Sequence, residues 1–191
     1  MESLVRKYQQ KYRKVEGEMK RWDELQSRLL SHFGSASSII DRLEVLREKK
    51  NYGGLTCVDG VKEALLGKQL ETLERIFSTM KDILKQFQSI VVSLDKISKD
   101  GSQLSKSEST PSSCRMKIGI KPSLAECVEG LKMIHEMHQS EYLLKVSLIS
   151  ALTWNTSSRE IAGLNQFLAD QPNISKDEVQ GIFGVIFAEE N

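Results

Sequence analysis

The sequence predicts an all-α protein with a long antiparallel, coiled-coil-like helical hairpin, then one long and two short helices, all forming an elongated bundle. Apolar residues recur every three or four positions over two long stretches, and the 191 residues include only 3 Pro. No stretch gives a convincing strand pattern. We predict a hairpin over 1–99, a flexible Ser-rich linker over 100–121, and a C-terminal helical module over 122–191 that packs on the hairpin.

The first predicted helix spans Leu4 to Leu46. Its apolar stripe follows coiled-coil spacing and comprises Tyr8, Tyr12, Val15, Met19, Trp22, Leu25, Leu29, Phe33, Ala36, Ile39, Leu43 and Leu46. Gly34 and the serines around it predict a kink or brief break. The glycines at 53 and 54 predict the helix stop.

The second predicted helix spans Val61 to Ile97 and organises the rest of the chain. Its stripe comprises Val61, Leu65, Leu70, Leu73, Phe77, Met80, Leu84, Phe87, Val91, Leu94 and Ile97. A helix of this length cannot bury such a stripe against itself, so another part of the chain or a partner must cover it. Two long stripes joined by a short glycine turn most simply form an antiparallel hairpin. Beyond Ile97, the serine-rich and nearly apolar-free residues to Ser113 predict a linker.

Three serine–glutamate pairs have capping-box spacing and predict the starts of the three C-terminal helices. These pairs are Ser123 with Glu126, Ser157 with Glu160, and Ser175 with Glu178. The first of these helices is expected to run to about Thr153. The proline at 172 predicts the break between the last two helices.

Composition excludes several function classes. A formal net charge of +1 and a pI of about 7.7 give no global field for nucleic acid or an anionic membrane. No apolar run approaches the roughly 20 residues of a membrane span. Three cysteines without metal spacing (Cys57, Cys114 and Cys127) favour reduced thiols. We therefore expect a protein of the cytoplasm and nucleus that contacts no membrane.

The chain shows no constellation for catalysis, so no catalytic, cofactor or metal residue is predicted and no enzyme is expected. His135, His138 and Glu141 are three residues apart, but zinc needs more ligands, and a solvated polar helix edge is favoured. The N-terminal aromatic residues Tyr8, Tyr12 and Trp22 lie among lysines and arginines. They fit either a surface for RNA or acidic protein, or a packed stripe with basic flanks, which we favour because they follow the helical spacing.

One segment resembles a known family. Residues 141–154, EYLLKVSLISALTW, resemble the C-terminal "YL-K---L-S--W" segment of the AAA-ATPase-interacting ribosome maturation factor family. Residues 61–70, VKEALLGKQL, resemble that family's "LKE-L--KQL" helix. Trp22 lies where the family's first long helix has a tryptophan. The resemblance covers most of the chain, although the linker departs from it in length and composition.

The resemblance implies a non-catalytic helical adaptor. Such factors pair with a second helical subunit and dock on a AAA-type ATPase, which strips a shuttling factor from cytoplasmic precursors of the large ribosomal subunit. In animals a related assembly is tied to protein turnover at replication forks. Nucleic acid is then contacted only indirectly, through the pre-ribosome or chromatin. The alternative from another class is a coiled-coil structural subunit of a tethering or cytoskeletal complex.

The same segment is apolar around more of its circumference than one packing face requires, which predicts a partner surface. The predicted interface residues are Tyr142, Leu144, Lys145, Leu148, Leu152 and Trp154. Lys145 is expected at the rim, and Trp154 is the kind of anchor that dominates binding energy. The alternative is that the two short C-terminal helices fold back and cover this segment as internal core.

Overall fold

The computed structural model describes residues 2–48, 50–53, 59–108 and 122–188. Its helices are α1 (Glu2–Arg47), α2 (Val61–Glu108), α3 (Leu124–Ala151), α4 (Ser158–Asp170) and α5 (Lys176–Ile186). The described ranges contain no strand, so the all-α prediction is confirmed. None of these helices is long and apolar enough to cross a membrane.

Helix α1 continues through Gly34, so of the kink or brief break predicted there the break is wrong. Phe33 and Ala36 on either side of the glycine are both buried. A glycine within a helix costs only about 1 kcal/mol relative to alanine. Burial of the flanking stripe outweighs that cost.

Helix α2 extends to Glu108, which corrects the predicted linker at 100–108. The Tyr8 hydroxyl donates to the carbonyl oxygen of Gly101 at 2.7 Å. A Cβ built on Gly101 would lie 2.7 Å from Leu131 Cδ1, so the backbone of α2 approaches α3 closely here. These tertiary contacts stabilise a polar helical turn that composition alone assigned to a linker. The rest of the predicted linker, with Cys114, lies outside the described residues, as does Cys57.

The predicted caps are present at the starts of the C-terminal helices. The Ser123 side chain accepts from the Glu126 backbone N–H, and the Glu126 carboxylate accepts from the Ser123 N–H at 2.8 Å. The Ser175 hydroxyl accepts from the Glu178 N–H at 3.3 Å. Each bond satisfies a first-turn N–H that has no partner within its own helix.

The chain divides into two compact units, and α1, α2 and α3 each contribute to both. Unit one contains Met1–Glu24, Phe87–Leu143 and Pro172–Asn191, and unit two contains Leu25–Gln86 and Leu144–Gln171. Each unit therefore draws residues from both sides of the predicted boundaries at 99 and 122.

In unit one, α1 and α2 run antiparallel. Ser93 donates to Glu18 Oε1 at 2.7 Å, and the rings of Trp22 and Phe87 meet edge to face with centroids 4.5 Å apart. Trp22 is 1% exposed, and Tyr8 and Tyr12 are fully buried. The favoured interpretation of the N-terminal aromatics, a packed stripe, is therefore confirmed. Cys127 is a buried free thiol, and burial raises its pKa to about 12.

In unit two, α1 and α2 are again antiparallel. The Lys62 ammonium donates to the carbonyl oxygen of Arg47 at 3.0 Å, which joins the end of α1 to the start of α2. The core of this unit is mainly aliphatic, with Phe33 and Tyr52 as its aromatic members, and it includes Leu25, Leu29, Ala36, Ile39, Ile40, Leu43, Leu73, Met80, Ile83, Leu84, Leu148, Ile149, Leu152, Ile161 and Leu168. The antiparallel hairpin prediction is confirmed in both units.

Candidate partner interface

The six predicted interface residues divide into buried, half-buried and exposed groups. Leu148 and Leu152 are buried in the core of unit two, and Lys145 is 0% exposed. Tyr142 and Leu144 are half-buried. Only Trp154 is largely exposed, at 51%. The free surface of this segment is therefore smaller than the sequence predicts.

Lys145 does not lie at a rim, so that prediction is wrong. Its Nζ donates to Gln26 Oε1 at 2.7 Å, and Gln26 Nε2 donates to the carbonyl oxygen of Leu168 at 2.7 Å. Leu168 is in the last turn of α4, where its carbonyl oxygen would otherwise accept from the N–H of the residue four positions later. That residue is Pro172, which has no N–H. Gln26 supplies that missing donor, and Lys145 orients Gln26. The lysine is thus an internal polar link of unit two.

His138 and Glu141 of α3 are also buried, so the prediction that they form a solvated polar helix edge is wrong. The Glu141 Oε2 atom accepts from the backbone N–H and the side-chain Nδ2 of Asn173, at 3.2 and 3.1 Å. The His138 ring lies 4.8 Å from the Trp22 ring, and its Nδ1 donates to the Ile134 carbonyl oxygen at 2.7 Å. No cluster of three or more metal-ligating side chains occurs within the described part of the chain.

Burial makes the stability of unit one depend on pH through His138. Desolvation lowers the pKa of His138 below its ordinary value and outweighs the hydrogen bond to Ile134 and the nearby Asp23 and Glu141 charges. Below the unfolded pKa of about 6.5, the unfolded chain binds a proton that the folded chain does not. We therefore expect the free energy of unfolding to fall as the pH drops from 7 to 5.

Urea titrations at pH 7, 6 and 5 measure this loss, and the His138→Leu variant provides the comparison. The variant is expected to lose less stability across this pH range than the wild type, whatever its stability at pH 7. Parallel pH profiles for the two proteins would contradict the assignment of the effect to His138.

Trp154 projects from a turn that is braced by its neighbours. The Thr153 backbone N–H donates to the Thr156 hydroxyl at 2.8 Å, and the Thr156 N–H donates to the Thr153 carbonyl oxygen at 3.3 Å. The Thr153 hydroxyl also donates to Asn155 Oδ1 at 2.6 Å. A turn held by side-chain and backbone hydrogen bonds presents the indole with little conformational freedom left to lose on binding.

The end of the turn is fixed by the cap of α4. The Ser157 hydroxyl donates to Glu160 Oε2 at 2.7 Å, and the Ser157 N–H donates to the same oxygen at 3.0 Å. These two bonds hold the pKa of Glu160 below its ordinary value. Ser158 then donates to Asp41 Oδ1 at 3.2 Å, which ties the start of α4 to α1. Both ends of the turn that presents Trp154 are therefore anchored in unit two.

Arg47 completes this surface, and no sequence pattern predicts its role. Its guanidinium carbon lies 4.6 Å from the centroid of the Trp154 ring, within cation–π range. The two residues are far apart in sequence, and only the fold brings the last turn of α1 to the α3–α4 turn. We call this pair the Trp154–Arg47 surface. An exposed tryptophan beside an arginine combines two residue types enriched at binding hot spots.

The comparisons with known proteins agree with the sequence resemblance. A family model described as "CA109-like: Ribosome biogenesis protein C1orf109-like" matches residues 2–191. A search of curated proteins gave no match. C1orf109 is the ribosome maturation factor whose family residues 141–154 resemble, so the predicted family is confirmed. The chain belongs to the C1orf109-like family of ribosome biogenesis proteins.

Proposed function

We propose that this chain is a non-catalytic helical adaptor that pairs with a second helical subunit and docks on a AAA-type ATPase during cytoplasmic maturation of the large ribosomal subunit. Membership of a ribosome biogenesis family supports the process. The resemblance of residues 141–154 to the ATPase-interacting factors supports the partners. In this role the ATPase performs the chemistry, and this chain positions the ATPase or its substrate.

The observation that favours an adaptor is the Trp154–Arg47 surface. Half of a large apolar side chain faces solvent in a turn that hydrogen bonds hold rigid. Leu148 and Leu152, earlier in the same segment, are by contrast buried in the core. An exposed, preorganised tryptophan just beyond a helix that packs into the core is well placed to be covered by a partner.

The Trp154→Ala variant tests this role. Tagged wild-type and variant proteins are purified from cells, and the ATPase and second-subunit bands are quantified. Loss of a hot-spot tryptophan costs about 2–4 kcal/mol of binding, so we expect at least about a tenfold loss of both partners. Far-ultraviolet circular dichroism should show unchanged helicity, because the side chain is mostly outside the core.

Phe167 provides a matched control. It is an aromatic residue of unit two that is 56% exposed on α4, similar to Trp154. We expect Phe167→Ala to recover both partners at wild-type levels. Undiminished partners with Trp154→Ala would refute the interface, and tether or cytoskeletal proteins in place of an ATPase would support the structural alternative.

A further inference from the structure

A groove on unit one lies between the first half of α3 and the second half of α5. Its volume is about 270 Å³. Helix α3 contributes Glu126, Glu129, Gly130 and Met133, and helix α5 contributes Gly181, Ile182, Val185 and Ile186. Neither the family description nor the Trp154–Arg47 surface accounts for it.

Two glycines shape the groove in different ways. A Cβ on Gly130 would clash with Tyr12 Oη and would lie 2.7 Å from Ile182 Cγ2, so this glycine lets α3 pack closely against α1 and α5. A Cβ on Gly181 would meet nothing within 4 Å. The groove is therefore open at Gly181, which has no side chain to fill it. At Gly130 the groove is closed, because α3 packs tightly against its neighbours there.

The groove has an apolar floor and an acidic edge. Val185 is 44% exposed, and Met133 is half-buried beside it. Glu126 and Glu129 lie on the α3 side, and no lysine or arginine is among the lining residues. An apolar channel between two helices accepts the apolar face of a third helix, and a one-sided acidic edge selects cations beside that face.

We propose that this groove binds an amphipathic helix of a partner protein that presents lysine or arginine along one side of its apolar face. Apolar side chains would cover Val185 and Met133, and the cations would approach Glu129. The proposal goes beyond the adaptor role, because it assigns unit one a second surface with its own charge preference.

Binding of synthetic peptides to the full chain tests this proposal by fluorescence anisotropy. The first probe is a labelled 20-residue amphipathic helix with leucine on one face and lysine beside it. The second replaces every lysine by glutamate. We expect the basic peptide to bind at least about tenfold more tightly than the acidic one, and its affinity to fall as salt is raised.

Two variants place the peptide in the groove. Gly181→Leu adds a side chain at a position where a Cβ meets nothing within 4 Å, and Glu129→Lys reverses the edge charge. Each change should weaken binding of the basic peptide about fivefold or more. Gly163→Leu is the matched control for the first, since a Cβ on Gly163 of α4 also meets nothing within 4 Å. Glu74→Lys, at an exposed position of α2, is the control for the second. Both controls should bind as the wild type does.

Three results would overturn the proposal. The first is that the basic and acidic peptides bind with equal affinity. The second is that the Gly181→Leu variant binds the basic peptide as tightly as the Gly163→Leu variant does. The third is that neither peptide binds. Sedimentation velocity adds a fourth: a wild-type dimer that Gly181→Leu converts to monomer would identify a second copy of the chain as the occupant. All four leave the Trp154 purification result unaffected, so failure here is distinct from failure of the adaptor role.

Discussion

Replacing Trp22 by alanine is expected to lower the free energy of unfolding by about 3–5 kcal/mol, the range for a buried aromatic truncated in a core. The indole is 1% exposed. Its ring centroid lies 4.5 Å from that of Phe87 and 4.8 Å from that of His138, and both ring pairs meet edge to face. Such ring pairs add to the energy of burial. Urea denaturation followed by circular dichroism measures the change.

The second tryptophan of the chain is the matched control. Trp154→Ala removes the same side chain from a position that is 51% exposed, where the indole lies in cation–π range of Arg47. We expect a loss of at most about 1 kcal/mol. Equal losses for Trp22→Ala and Trp154→Ala would contradict the assignment of Trp22 to the core.

Helical spacing was enough to predict the packed stripe of α1, because a core-facing side chain must recur every three or four residues wherever α1 is buried. Tyr8 and Phe33, for example, are in that predicted stripe and are buried. The predicted stripe of α2 is not buried throughout, since its Leu65 and Leu70 are each 37% exposed. Spacing was not enough at the end of α2. The turns up to Glu108 are polar, and they are helical because α1 and α3 pack against them at Gly101. The amino-acid composition of a segment carries no information about such long-range contacts.

The candidate interface shows the same division between local and long-range information. The predicted anchor Trp154 follows the end of α3 at Ala151 and is 51% exposed. The burial of Lys145 was missed because its partner, Gln26, is 119 residues away in the chain. A lysine in a leucine-rich helix is usually solvated at its tip. Only the position of α1 in unit two shows that this one is not.

Lys145→Ala is expected to lower the free energy of unfolding by about 3–5 kcal/mol. The side chain is 0% exposed, so truncation leaves a cavity in place of its four-carbon stem. It also leaves Gln26 Oε1 without the Lys145 donor at 2.7 Å, and an unsatisfied buried acceptor costs about 1–3 kcal/mol. Lys145→Met keeps most of the stem, so it should lose only the hydrogen bond to Gln26 Oε1, about 1–3 kcal/mol.

Lys132 is the control on the same helix. Its ammonium is exposed and lies 3.6 Å from the exposed Glu136 carboxylate, an arrangement that contributes little to stability. Urea denaturation should therefore show Lys132→Ala within about 0.5 kcal/mol of the wild type. If Lys145→Met also stays within that range, the ammonium of Lys145 contributes nothing and its burial is a matter of stem packing alone. If Lys145→Met loses stability, adding Gln26→Leu should cost less than Gln26→Leu does in the wild type, because the two side chains act as one hydrogen-bonded unit.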